Sequence, residues 1–189
     1  MSPAITILDC SPITDGAAAV VLVPLDQART LTGHPPVRVA ASAHATDSIA
    51  LHERDDLAWL GSTEQAAGLA YAHAGITPDD LSFCEVHDCF TIAEIMVIEA
   101  LGIAPRGCGG SGAESGATAL GGKVPVNPSG GLKSKGHPVG ASGIAQVREA
   151  VLQLRGQAGE RQVEGAHWGL TQNMGGTGAS SVVHVFERA

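Results

Sequence analysis

The sequence predicts an α/β fold, a mixed five-stranded sheet layered with helices on both faces. Three observations carry this. Short β-favouring runs alternate with longer stretches whose apolar residues recur at helical spacing. The last two β-favouring runs flank a glycine-rich turn, QNMGGTG, which suits an antiparallel return, whereas helical stretches separate earlier ones. The 189 residues are 44% apolar and 16% charged, enough for one good-sized core.

Residues 17–25, AAAVVLVPL, form a β-favouring run after the turn formers Ser11, Pro12, Asp15 and Gly16. They predict a first strand that needs neighbours, since one strand is not a domain. Residues 26–30 predict a short helical turn, and GHPP at 33–36 breaks the chain. VRVAASAHA at 37–45 alternates and predicts the second strand. Residues 55–75 predict a helix, in one piece or two, with Ala66, Leu69, Ala70 and Ala74 on one face and Gly75 as its stop. Thr77 to Asp80 reads as a turn or short helix start, and LSFCEVH at 81–87 as the third strand.

FTIAEIMVIEAL at 90–101 predicts a helix with Phe90, Ala93, Val97 and Ala100 on one face. Asp88 and Cys89 then lie at a strand-to-helix junction. The Gly- and Ser-rich residues 104–124 predict a loop, long enough to be functional or mobile. Residues 141–155 predict a helix with Ile144, Val147, Val151 and Leu154 on one face. Residues 166–170 and 179–186 predict the last two strands.

A formal charge of −8 argues against nucleic acid as a partner, because phosphate backbones need a basic surface. The one close lysine pair, Lys133 and Lys135, still suits a single phosphate group. No apolar run is long enough to span a bilayer. The start lacks a secretory pattern, and the ending FERA is not a peroxisomal address. Four Cys without a secreted spacing predict free thiols and a cytoplasmic setting.

Three stretches carry chemistry. In CEVHDCF at 84–90, Cys89 falls near a helix N-terminus, whose positive end favours a thiolate. It reads either as a reactive thiol with His87 beside it, or as a buried Cys next to an N-capping Asp88. Cys84, His87, Cys89 and Cys108 lack the tight pairs usual for zinc, so no metal is expected. In GHPVGASG at 136–143, His137 sits in a fixed loop before a helix start. It reads either as a hydrogen-bonding or proton-accepting group, or as a turn histidine. In NMGGTG at 173–178, backbone N–H groups can face an anion, or the loop is only a tight hairpin.

Together, HDCF at 87–90, NPSGGLKSKGHPVGASG at 127–143 and LTQNMGGTGASSVVHVF at 170–186 resemble the C-terminal half of a thiolase, of the sterol-carrier-protein type. LDCSPITDGAAAVVL at 8–22 is similar to the segment that ends the thiolase N-terminal domain. The resemblance implies the layered thiolase fold, with residues 1–30 as a remnant strand and connector and 31–189 as the C-terminal domain. It implies making or breaking a C–C bond next to a thioester carbonyl, with a coenzyme A thioester as substrate and no bound cofactor.

His137 matches the family's GHP histidine, and His87 stands where orthodox members carry a catalytic asparagine. Gln172 falls where their CxG cysteine would be, which implies Cys89 as the acid/base thiol. The resemblance further implies Asn173, Gly175 and Gly176 as the oxyanion loop, and Phe90, Gly136 and Pro138 as substrate-positioning residues. The family's acyl-accepting cysteine has no match here, and Cys10 does not fit its motif. An N-terminal half or partner chain, in a homo- or hetero-oligomer, is therefore expected to supply it. The alternative is a non-catalytic assembly subunit that kept the fold. A retro-aldol relative is disfavoured, because such relatives replace the HDCF and GHP motifs that stand intact here.

Overall fold

A computed structural model describes residues 6–31 and 33–189. Four strands form one sheet: β1 (Val37–Thr46), β2 (Phe83–Glu85), β3 (Trp168–Gly175) and β4 (Ser180–Arg188), in the order β1-β4-β3-β2. The β1/β4 and β3/β4 pairs are antiparallel and β2/β3 is parallel, so the sheet is mixed as expected. It has four strands rather than five because AAAVVLVPL joins no ladder. Residues 17–24 adopt no regular structure, and Val21 and Leu22 are 87% and 77% exposed. A β-favouring run becomes a strand only when a neighbour satisfies its backbone, and the described residues offer none. The run leads into the helix α1 (Leu25–Leu31). Residues 1–5 of the predicted 1–30 segment lie outside the described residues.

The alternation of β1 turns Ala41, Ala43 and Ala45 into the core. Such small side chains admit a close partner, α2 (Gly61–Ala74), which buries Ala66, Ala67 and Ala70. Leu69, predicted to face inward, is exposed, because the buried stripe runs through Ser62, Thr63, Ala66, Ala67, Ala70 and Tyr71 and leaves it to one side. The helix begins six residues later than the predicted 55, and it ends at Gly75 as expected. Gly68 lies mid-helix with open space where a Cβ would go. Gly68→Ala is therefore expected to raise stability by about 0.5–1 kcal/mol, read as a higher denaturant midpoint at unchanged m-value.

The helix α3 (Thr91–Ala100) packs on the same side of the sheet, burying Val97 and Ile98, and the Tyr71 hydroxyl donates to Leu101 O at 2.9 Å. The predicted loop 104–124 contains a short helix, α4 (Gly109–Glu114). Glu99 anchors it by accepting the N–H groups of Gly107 and Gly109 at 2.9 and 2.8 Å. The predicted third strand shortens to three residues. Its outer edge is covered by residues 125–127: Cys84 N donates to Pro125 O at 2.9 Å, and Asn127 N to Cys84 O at 2.8 Å.

On the opposite face lies α6 (Ser142–Leu154), with Ala150 and Leu154 against Phe83 and Phe186. Of the predicted stripe, Leu154 is buried and Val147 packs against the same cluster, but polar residues share the inner face. Gln146, Glu149 and Gln153 point inward while Ile144 is exposed. Each buried polar group is satisfied. Gln146 Nε2 donates to Gln172 O at 3.0 Å, Arg161 grips Glu149 at 2.8 and 3.0 Å, and Gln153 takes the Val163 N–H at 2.8 Å. Apolar periodicity misses a helix whose inner face is a hydrogen-bonded network.

Candidate functional site

The site is built where three segments meet. After β2 the chain runs through VHDCF to α3, and its backbone is fixed from two sides. Val86 N donates to Asn127 Oδ1 at 2.8 Å, and His87 N to Gln172 Oε1 at 3.2 Å. Gln172 is fully buried and itself donates to Thr63 and Ser181. Gln172 is thus a structural clamp on the His87 backbone.

His137 follows the short helix α5 (Gly131–Lys135) and Gly136. Gly136 has φ of +86°, and a Cβ there would lie 2.5 Å from Thr14. Only glycine lets the opening segment approach so closely, and His137 N donates to Pro12 O at 3.1 Å across that contact. Pro138 packs against Gly16 in the same way. Gly136 and Pro138 therefore seat the segment of residues 12–16 on the histidine loop.

The two imidazoles meet edge to face, with centroids 4.9 Å apart and planes at 81°. His137 Nδ1 lies 2.7 Å from Ser142 Oγ, and that hydroxyl donates its single hydrogen to Pro138 O at 3.1 Å. Ser142 then accepts from an N–H on Nδ1, and in the neutral ring this tautomer carries its lone pair on Nε2 of His137. His87 is 7% exposed. Burial, and then the neighbouring His137, push its pKa from 6.5 down to about 4, against a hydrogen-bonding contribution from Asn173. It is neutral at neutral pH. Its Nδ1 is buried and has no hydrogen-bond partner among the described residues.

This sets a pH signature. Below pH 6.5 an unfolded chain protonates its histidine while folded His87 stays neutral until about 4. Stability present above 6.5 is therefore lost as pH falls, at up to about 1.4 kcal/mol per pH unit across that window. Unfolding midpoints of the wild type and His87→Gln should diverge between pH 6.5 and 4, with the wild type losing more. Parallel curves would refute the assignment.

Cys89 is half-buried at the start of α3. Burial pushes its thiol up, the Phe90 N–H opposes this, and Asp88 and Cys10 add to the rise. The expected lowering by the helix N-terminus is thus overturned, because desolvation of a thiolate outweighs one turn's dipole. Cys89 rests as a thiol at neutral pH. Nor does Asp88 cap α3: its Oδ1 accepts the N–H of Leu132 in α5 at 2.8 Å. Phe90 fills the N-cap position of α3 and is about half exposed.

Asn173 reaches the site, with Nδ2 donating to Gln146 Oε1 at 3.0 Å and its side chain at His87. Gly175 and Gly176 do not join the histidines. They lie at the exposed end of the β3–β4 hairpin, where Ala179 N donates to Gly176 O at 2.9 Å and Gly176 approaches Ile49. NMGGTG carries the chain from β3 into β4 as a hairpin.

Cys84 is locked in the core and Cys108 is exposed beside α4, apart from the histidines. Both basic side chains of the lysine pair have partners within the chain. Lys133 Nζ donates to Cys10 O at 2.9 Å, and Lys135 Nζ binds Glu85 at 3.2 Å. Ser142, Gln146 and Glu85 were not singled out in the sequence. Only Ser142 carried a signal, as a hydroxyl one helical turn after a GHP histidine.

The sequence profile of the family described as "Thiolase C-terminal domain-like" matches residues 43–188. The chain belongs to this family. Over 182 residues it is 55% identical to the acetyl-CoA acetyltransferase of Methanothermobacter thermautotrophicus, covering 96% of this chain and 47% of that one. It is 42% identical to sterol carrier protein 2 of Homo sapiens over 180 residues, covering 93% and 33%. The chain thus spans half or less of the length of these relatives. It shares its fold, at a TM-score of 0.85, with a solved structure described as an Ltp2-ChsH2(DUF35) aldolase. That likeness covers 100% of this chain and 49% of the other at 22% identity, so it speaks to fold alone. No helix among the described residues is long and apolar enough to cross a membrane.

Proposed function

We propose that this chain is the C-terminal half of a thiolase-like acyl-CoA acyltransferase, acting with an N-terminal half or partner chain that carries the acylated cysteine. The observation that carries this is the pair of imidazoles 4.9 Å apart, beside a half-buried thiol two residues from one of them. On this reading residues 1–30 belong with the N-terminal half, which gives the exposed run at 17–24 its missing neighbours. The free-thiol composition supports a cytoplasmic setting.

In the cleavage direction, a 3-ketoacyl thioester loses its C–C bond. The acyl group passes to the partner's cysteine, and the electron pair becomes the enolate of an acetyl thioester. Neutral His87 and the N–H groups near Asn173 donate to the enolate oxygen. Cys89, held as a thiol by burial, delivers the proton to the enolate carbon. His137 Nε2 takes a proton from the attacking thiol. In synthesis the same protons run backward.

Mixing decides the matter. The chain combined with a matching N-terminal half should gain coenzyme A-dependent cleavage of an acetoacetyl thioester. Cys89→Ala should abolish that gain. No gain on mixing would leave the assembly-subunit alternative, and a gain that survives Cys89→Ala would remove Cys89 from the chemistry.

A further inference from the structure

Glu85 is a charged residue with no solvent exposure, at the C-terminal end of β2. Burying a carboxylate is costly unless partners compensate, and three do. Ser129 N donates to Oε1 at 3.0 Å, Ser129 Oγ to Oε2 at 2.6 Å, and Lys135 Nζ to Oε2 at 3.2 Å. Lys135 also donates to Ser129 Oγ, which closes the triad. Burial pushes the Glu85 carboxyl up, while Lys135 and Ser129 pull it back.

The positions of these residues give the triad its meaning. Glu85 stands two residues before His87, and Lys135 two residues before His137. One buried ion pair therefore ties together the two backbone segments that carry the imidazoles, through the NPSGG loop. A second tie runs beside it, from Leu132 N to Asp88 Oδ1 at 2.8 Å, while His87 N is held by Gln172 and His137 by Pro12 and Ser142.

We infer that the Glu85–Ser129–Lys135 triad is a positioning device that sets the spacing and tilt of His87 against His137. It touches no substrate. It rests on the acyltransfer reading only for its kinetic consequence, since the spacing itself is a property of this chain. The Lys135 side chain is 29% exposed, and Lys135→Met removes its arm of the tie while the Glu85 carboxyl keeps both Ser129 donors.

The test labels histidine with ¹⁵N and follows the imidazole signals of the 189-residue chain, assigned with His87→Gln and His137→Gln. In Lys135→Met the signals of both His87 and His137 should move while the other histidines stay. Glu85→Gln, which keeps an acceptor for Ser129 N but loses the charge, should move the same two. Lys135→Arg should restore them. In the assembled enzyme, Lys135→Met should lower kcat about ten- to a hundredfold at unchanged KM, as expected for misplaced catalytic groups. Unmoved imidazoles, a shift at His137 alone, or an Arg variant that behaves like Met each overturn the proposal. An assembled wild type without activity overturns the acyltransfer reading instead, and the imidazole signals still decide the positioning role.

Discussion

His137→Ala is expected, on the proposed acyltransfer reading, to lower kcat of the assembled protein for thioester cleavage by about 10²–10⁴-fold, the usual worth of a positioned general base. Ser142→Ala should cost less, about tenfold, and by a different route. The wild-type hydroxyl accepts from Nδ1 and donates to Pro138 O, so it fixes both the tautomer and the ring. Without it, Nδ1 and Nε2 compete for the proton, and only part of the population presents a base at Nε2. The double variant should be no slower than His137→Ala alone, because Ser142 acts only through the ring. Steady-state rates on an acetoacetyl thioester check all three. Independent, multiplying losses would show that Ser142 has a role of its own.

The parts of this molecule that follow from local pattern were legible in the sequence. The alternation of VRVAASAHA gave β1, Gly75 gave the end of α2, and QNMGGTG gave the β3–β4 return. The parts that depend on partners far along the chain were not. AAAVVLVPL has strand composition but no strand beside it among the described residues. The inner face of α6 is a polar network closed by Arg161, Val163 and Gln172, which no apolar spacing reveals.

The site divides in the same way. His87, His137 and Asn173 do converge, and the motifs announced them. The state of Cys89 did not follow from its place at a helix start, because burial is a tertiary quantity and it outweighs the local dipole. Asp88 was misassigned for a related reason. An Asp before a helix reads as that helix's cap, and here it crosses to α5 instead.

That crossing makes Gly131→Ala the substitution with the largest expected cost in stability. Gly131 has φ of +62°, and a Cβ there would lie 2.1 Å from Asp88 Oδ2 and 2.7 Å from its Cγ. Both strain and eviction follow. A left-handed alanine costs about 1–2 kcal/mol. Displacing the carboxylate from Leu132 N forfeits a charge-assisted bond in a buried place, about 1–3 kcal/mol more. The sum, about 2–5 kcal/mol, should lower Tm by roughly 5–15 °C for a chain of this size. Since Asp88 stands between His87 and Cys89, activity should fall with it even where the protein remains folded. Asp88→Ala alone should cost about 1–3 kcal/mol by leaving Leu132 N without its acceptor. The two changes should not add. Once the carboxylate is gone, so are the three atoms nearest a Cβ at position 131, and its backbone strain is the cost that remains. Denaturant unfolding of the two single variants and the double variant gives the coupling directly. A double variant as destabilised as the sum of the singles would mean that Asp88 and Gly131 do not share this contact.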